Sequence, residues 1–166
     1  MIKIMSKKKS DKTNAIRFLA QKKIPFDVSE YHWDEHHLGA VETASELGLD
    51  PGSIFKTLVT VGNKTGPVVA VIPGNQELDL KKLAKVSGNK KVEMLPLKDL
   101  EATTGYIRGG CSPVGMKKLY PTYFDSSALT HDKIHVSAGK RGLQMSVNPE
   151  ELASVVRGKF ESITAE

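Results

Sequence analysis

Apolar positions in this chain follow two periods, and the period changes every ten residues or so. Helical spacing marks residues 11–23, where Ala15, Ile16, Leu19 and Ala20 share one face. It returns in a short helix over 41–49, stopped by Asp50-Pro51-Gly52. Asp79 can cap a helix over 80–87 that Gly88 closes, and 96–104 is a short helix ending at Gly105. Asn148-Pro149 opens the last helix, which runs to Arg157 and ends at Gly158. Between these lie strand-like runs. Residues 26–31 alternate, and 54–61 and 67–72 are β-rich segments joined by Gly62-Asn63-Lys64-Thr65-Gly66, the pattern of a hairpin. Further strands are predicted over 91–94, 122–125, 133–137, 143–147 and 160–163, with a polar loop over 32–39. No internal repeat, linker or low-complexity segment interrupts the series. The pattern predicts an α+β fold: a curved, mixed sheet with helices packed on it.

Composition narrows this picture. With 166 residues, 39% hydrophobic and 26% charged, the chain reads as one soluble domain large enough for a real core. No apolar run approaches the ~20 residues of a membrane-spanning helix. The opening MIKIMSKKKSDK is basic but lacks an apolar region after it, so it reads as a frayed tail over 1–10 ahead of a folded 11–166. One cysteine leaves no internal disulfide framework and fits a reducing compartment, the cytoplasm. A net charge of +5 is compatible with a polyanionic partner without requiring one.

Several stretches could carry chemistry. Residues 104–118, TGYIRGGCSPVGMKK, hold four glycines in what reads as a polar loop. Gly109 and Gly110 let the backbone reach positive φ, and successive N–H groups there can cradle an anion or a carbonyl oxygen; an ordinary tight connection has the same composition. Pro113 fixes the exit and pushes Ser112 toward an extended conformation. Lys56 interrupts the apolar run SIFKTLVTV and faces away from Phe55 and Thr57. It is either a solvated lysine on a half-exposed strand or a cation lining a cleft. His32-Trp33-Asp34-Glu35-His36 matches the H-x-x-E-H of zinc hydrolases, but no apolar helix surrounds it, and a solvated loop is the better reading. Cys111 has no base at a recognisable spacing, since His131 and His135 lie about twenty residues on. SAGKRG at 137–142 places two cations beside two glycines and a serine, which suits a phosphate or ribose without being a Walker loop. Lys81, Lys82, Lys85, Lys90, Lys91, Lys117 and Lys118 form either solvated faces or a track for a nucleic-acid backbone.

Six stretches in this order, KTNAIRFL, KKIPFDVSEY, SIFKTLV, ELDLKKLAKVSGNKKVEM, TGYIRGGCSPVGMKK and VSAGKRGLQMSV, resemble the YbaK/EbsC family of aminoacyl-tRNA deacylases, most of all its Cys-tRNA(Pro) deacylase branch. The resemblance covers about residues 13–163. It implies a barrel-like mixed sheet surrounded by helices and a kinship with the editing domain of prolyl-tRNA synthetase. The family's essential lysine falls on Lys56, its early-strand tyrosine on Tyr31, and the first glycine of its G-x-x-[GS]-P loop on Gly109. Thr57, Gly110, Ser112, Pro113, Ser137, Gly139, Lys140 and Arg141 are the implied substrate-binding positions. Ala138 stands where the family usually has glycine, which would stiffen that turn or reshape the pocket. Cys111 replaces an often aliphatic residue, and Ser112 before the proline sides with the cysteine-specific branch rather than the alanine-specific one.

The implied substrate is aminoacyl-tRNA carrying a misplaced amino acid as an ester, with no metal and no cofactor. For cysteinyl esters the family is thought to let the substrate's own thiol attack the carbonyl, releasing a thiolactone. The protein then supplies orientation and electrostatics. Prolyl-tRNA synthetase is the implied partner, and no membrane is involved. Three other readings compete: a binding module for tRNA or synthetase without turnover, a deacylase for another small amino acid such as alanine, and a zinc hydrolase using His32 and His36.

Overall fold

Most helices and 3-10 turns begin at a residue whose side chain satisfies a free amide of the first turn. The structure, a computed structural model, describes residues 13–32 and 40–165. The tail expected over 1–10 lies outside them, as do residues 33–39 of the loop expected over 32–39. Thr13 caps α1 (Asn14–Gln21), its hydroxyl accepting the Ile16 N–H at 3.1 Å, and the helix buries Ala15, Ile16 and Leu19. After β1 (Asp27–Glu30) comes α2 (Ala40–Leu47), followed by a 3-10 turn at Pro51–Ser53 whose cap is Asp50. Next come β2 (Phe55–Gly62) and β3 (Gly66–Pro73), paired antiparallel along their whole length from Phe55 opposite Pro73 to Gly62 opposite Gly66. The predicted hairpin is present. Asn89 clamps its turn, its carbonyl oxygen accepting the N–H groups of Lys64 at 2.8 Å and Thr65 at 3.1 Å.

Asp79 caps α3 (Leu80–Ser87) through the Lys81 and Lys82 amides, and Gly88 closes it at φ 77°. The order continues with β4 (Val92–Met94), a 3-10 turn running into α4 (Leu100–Thr104), β5 (Thr122–Asp125), and a further 3-10 turn. It ends with β6 (Ile134–Lys140), β7 (Leu143–Val147), α5 (Pro149–Val156) and β8 (Lys159–Glu161). Asn148 caps α5 as expected, but the left-handed residue at its end is Arg157, at φ 56°, rather than Gly158. Gly158 is needed for a different reason: a Cβ there would come within 2.6 Å of the Phe124 ring.

The strands form two sheets, where the sequence pattern alone predicts one. Five are ordered β4-β2-β3-β5-β8, mixed because β3, β5 and β8 run parallel, and three are ordered β1-β7-β6, all antiparallel. A single parallel bridge between Ile54 and His135 joins them, and among the described residues the curved sheets do not close into a barrel. β3 is buried on both faces, which explains its unbroken apolar run. Val69 and Val71 enter a large core with Phe55, Val59, Phe124, Val136 and Met145. Val68, Ala70 and Ile72 enter a second core with Leu83, Val92 and Ile163. Each of these side chains larger than alanine contributes about 1.5–3 kcal/mol by leaving water. The α+β class with helices around curved sheets holds.

Candidate active site

The edge of β2 is used unevenly. At its start Ile54 bridges to His135 of β6, and at its end Thr60, Val61 and Gly62 pair with β4. Between them, residues 56–58 are paired with β3 alone. β6 meanwhile departs from regular register between Ser137 and Lys140, a bulge that raises local twist and turns the strand away. Among the described residues, 56–58 are therefore left without a backbone-paired neighbour on that edge. In the parallel register set by the Ile54 bridge, Lys56 stands level with Ser137 and on the same face. Lys56 is half-buried, and its ammonium makes no hydrogen bond or ion pair with any described residue. Thr57 turns its buried hydroxyl to the other face, where it too has no partner.

The face that carries Lys56 continues across the three-stranded sheet. Ser137 lies opposite Gln144, and Gln144 opposite Ser29. Tyr31, two residues past Ser29, is held at the rim by its N–H, which donates to the Gly142 carbonyl at 2.9 Å. Burial raises its phenol pKa, and a hydrogen bond to the Gly142 backbone opposes that rise. Ser137 steadies the bulge, its hydroxyl accepting the Gly139 N–H at 3.1 Å.

The glycine loop is fastened to this bulge from outside. Gly109 has φ 86°, a conformation that a side chain would strain. Gly110 packs so closely on the backbone of Lys140 and Arg141 that a Cβ would sit 3.1 Å from Arg141 N. The Arg141 Nε donates to the Arg108 carbonyl at 2.8 Å, and the Tyr106 hydroxyl donates to the Val114 carbonyl at 2.7 Å. The Thr13 hydroxyl donates to the Ala138 carbonyl, which ties α1 to the same strand. Gly109 is therefore presented at the surface beside the cations Lys140 and Arg141, from a rigid mount.

Residues 34–155 match the family described as the aminoacyl-tRNA editing domain. A protein of Enterococcus faecalis, named as a candidate Cys-tRNA(Pro)/Cys-tRNA(Cys) deacylase, EbsC, is 65% identical over 161 residues, covering 96% of this chain and 98% of that one. This chain belongs to the aminoacyl-tRNA editing domain family. A proline–tRNA ligase of Shouchella clausii is 32% identical over 101 residues, 61% of this chain and 18% of the ligase. The fold is shared with a crystal structure described as a candidate trans-editing enzyme for prolyl tRNA synthetase. That match has a TM-score of 0.80 and 24% identity, over 93% of this chain and 99% of that one.

The positions singled out in the sequence divide in three within this editing domain. Lys56, Tyr31 and Ser137 share one face, and Gly109, Gly110, Gly139, Lys140 and Arg141 form the adjoining loop and bulge. Ser112 and Pro113 are buried beneath the loop, where they shape it. The loop is not polar as its composition indicated: Tyr106, Cys111 and Val114 belong to the large core. Cys111 is buried, and burial pushes its thiol up to about 12 against an opposing hydrogen bond from Thr104. Such a thiol is protonated at neutral pH and is no nucleophile. Ala138 points its methyl into the core and away from the face that carries Ser137. Glu35 and His36 lie outside the described residues, while the His32 N–H donates to the Glu46 carboxylate at 2.8 Å. Lys82 and Lys117 donate to main-chain carbonyls. One residue on the site face escaped the sequence reading. Gln144 is 4% exposed, and its amide nitrogen has no hydrogen-bond partner. In sequence it occupies a polar position in the alternation of Leu143, Met145 and Val147, which marks it only as facing away from the core.

Proposed function

We propose that this protein is an aminoacyl-tRNA deacylase that removes cysteine from mischarged Cys-tRNA(Pro), and also from Cys-tRNA(Cys). The single observation that carries the reading is Lys56, a half-buried cation with no protein partner among the described residues, level with Ser137 in the register of the Ile54–His135 bridge. Its Nζ is open to solvent, so the charge is available to an anionic or carbonyl-bearing ligand. The 3′ end of a charged tRNA offers a phosphate and an ester in close succession. Lys56 anchors that phosphate or the reacting ester, and the N–H groups of the Gly109 turn receive the carbonyl oxygen as charge develops on it. The sulfur of the bound cysteinyl group attacks its own carbonyl carbon. The new S–C bond forms, the ester C–O bond breaks, the thiol proton ends on the ribose oxygen, and thiolactone leaves uncharged tRNA behind. Likeness to the EbsC protein of Enterococcus faecalis supports the substrate, and likeness to proline–tRNA ligases supports prolyl-tRNA synthetase as the partner that delivers it. The reaction belongs to the cytoplasmic pool of charged tRNA.

The test is deacylation of Cys-tRNA(Pro), Cys-tRNA(Cys), Ala-tRNA(Pro) and Pro-tRNA(Pro), side by side, by the wild-type protein and Lys56→Ala. The cysteinyl esters should be cleaved and Pro-tRNA(Pro) spared. Lys56→Ala should lose roughly 100-fold or more in kcat/KM with an unchanged circular dichroism spectrum. Wild-type turnover by a folded Lys56→Ala removes the role assigned to it, and faster cleavage of the alanyl ester removes the cysteine assignment.

A further inference from the structure

We propose that Gln144 is a positioning residue whose side-chain N–H donates to an oxygen of the aminoacyl-ribose end of the substrate; this deepens the deacylase reading above and rests on it. Buried side-chain donors in folded proteins are nearly always paired, so one left alone calls for a reason. Gln144 is 4% exposed and its Nε2 is unpaired, although it sits in a regular strand with neighbours on both sides. Leu143, Met145 and Val147 of the same strand enter the large core, so Gln144 projects from the opposite face, between Ser29 and Ser137. That is the face on which Lys56 stands level with Ser137.

The composition of this face decides what the donor is for. Lys56 can only donate, and Gln144 has its donor to spare. Asp27 lies on the same face opposite Ser146, but Lys133 approaches it at 3.7 Å. The Ser137 hydroxyl already accepts the Gly139 N–H. The Lys56 ammonium and the unpaired Gln144 Nε2 are thus two donors on one face, which suits a ligand rich in acceptor oxygens. An ester carbonyl and the hydroxyl of the adjoining ribose are such acceptors, and a proline or alanine side chain adds none. A neutral amide at this position also places no carboxylate at residue 144 to compete for Lys56.

The experiment compares wild type, Gln144→Met and Gln144→Glu. It measures kcat/KM on Cys-tRNA(Pro), thermal unfolding, and binding of a cysteinyl-adenosine in which an amide replaces the ester. Methionine matches the shape and abolishes the unpaired donor. Gln144→Met should then unfold at the same or a higher temperature, while kcat/KM falls about tenfold and the amide analogue binds about tenfold more weakly. Gln144→Glu, which presents acceptors in place of donors, should lose at least as much activity. Repeating the comparison on tRNA ending in 2′-deoxyadenosine identifies the acceptor. A loss that persists assigns the carbonyl, and a loss that disappears assigns the ribose hydroxyl. Gln144→Met with wild-type kcat/KM and analogue binding overturns the inference. So does a variant whose activity falls only in step with its folded fraction. If wild type cleaves none of the four tRNA esters, the deacylase reading fails separately, and binding of the amide analogue still decides the role of Gln144.

Discussion

Replacing Gly110 with alanine tests whether the glycine loop owes its position to contact with β6. A Cβ at residue 110 would lie 3.1 Å from Arg141 N, 3.1 Å from Lys140 C and 3.2 Å from Lys140 Cα. Ordinary contacts of this kind begin near 3.4 Å, so the deficit is a few tenths of an ångström. All three neighbours are main-chain atoms, and no rotamer change can relieve them. Either the loop or the bulge has to move. The loop resists through the Gly110 N–H to the Ile107 carbonyl at 2.9 Å and the Tyr106 hydroxyl to the Val114 carbonyl. The bulge resists through the Gly139 N–H to the Ser137 hydroxyl. Overpacking of this kind costs about 1–3 kcal/mol. At roughly 2–4 °C per kcal/mol for a chain of this size, the melting temperature should fall by about 2–12 °C. Activity should suffer more than stability, because the displacement separates Gly109 from the face carrying Lys56 and Ser137. Thermal unfolding by circular dichroism and single-turnover deacylation at a temperature where the variant is fully folded measure the two effects. A Gly110→Ala protein with an unchanged melting curve and wild-type turnover would refute the argument that this contact sets the site.

Two further outcomes follow from the buried thiol and the site-face histidine. Cys111→Ala should keep wild-type turnover while losing about 1–2 kcal/mol of stability to a small cavity, and the native thiol should resist maleimide at neutral pH. Abolished turnover in a folded Cys111→Ala would make the thiol the nucleophile. Burial, then His131 and Lys133, lower the pKa of His135 below the ordinary histidine value of about 6.5. The unfolded chain therefore takes up this proton first as pH falls, so His135 removes stability progressively from about pH 6.5 downward. His135→Gln should flatten the decline in melting temperature over that window, and an unchanged slope would assign the decline to other groups.

Local chemistry was legible in the sequence, and long-range pairing was not. The caps at Asp79 and Asn148 were readable because each solves a problem within three residues of itself. The hairpin of β2 and β3 was readable for the same reason. The parallel joins of β3 to β5 and β5 to β8 depend on which apolar faces meet across the whole chain, and no spacing announces them. Gly158 shows how a correct boundary can carry the wrong reason. Its glycine serves the Phe124 ring, while Arg157 makes the left-handed turn. The loop at 104–118 looked polar because glycine and serine are small, yet small residues are also what lets Tyr106 and Val114 reach the core beneath it. Lys56 could be recognised as anomalous, but its lack of a partner required the neighbouring strands to be in place. Gln144 could not be recognised at all, since a polar residue in an alternating strand is ordinarily solvated.

On the proposed reading, the groups of the site face also explain why cysteine would be the amino acid removed. What the protein brings to a bound ester, on this reading, is hydrogen-bond donors and a cation: the Gly109 turn, Lys56 and the Gln144 amide. Donors of this kind stabilise a developing oxyanion but do not attack carbon. The protein's own thiol is held near 12 and sealed in the core, so it contributes no nucleophile at neutral pH. A cysteinyl ester arrives with a thiol whose ordinary pKa is about 8.5, several per cent ionised near neutrality and already tethered to the reacting carbonyl. Alanyl and prolyl esters bring no such group. A site that supplies no nucleophile of its own therefore favours a substrate that carries one, and side-chain size need not do all the discriminating. Cysteine should then outrank serine as well, although the two side chains differ little in volume. A hydroxyl of pKa far above neutrality gains almost nothing from the same tether, and Ser-tRNA(Pro) cleaved as fast as Cys-tRNA(Pro) would show that the attacking group comes from elsewhere.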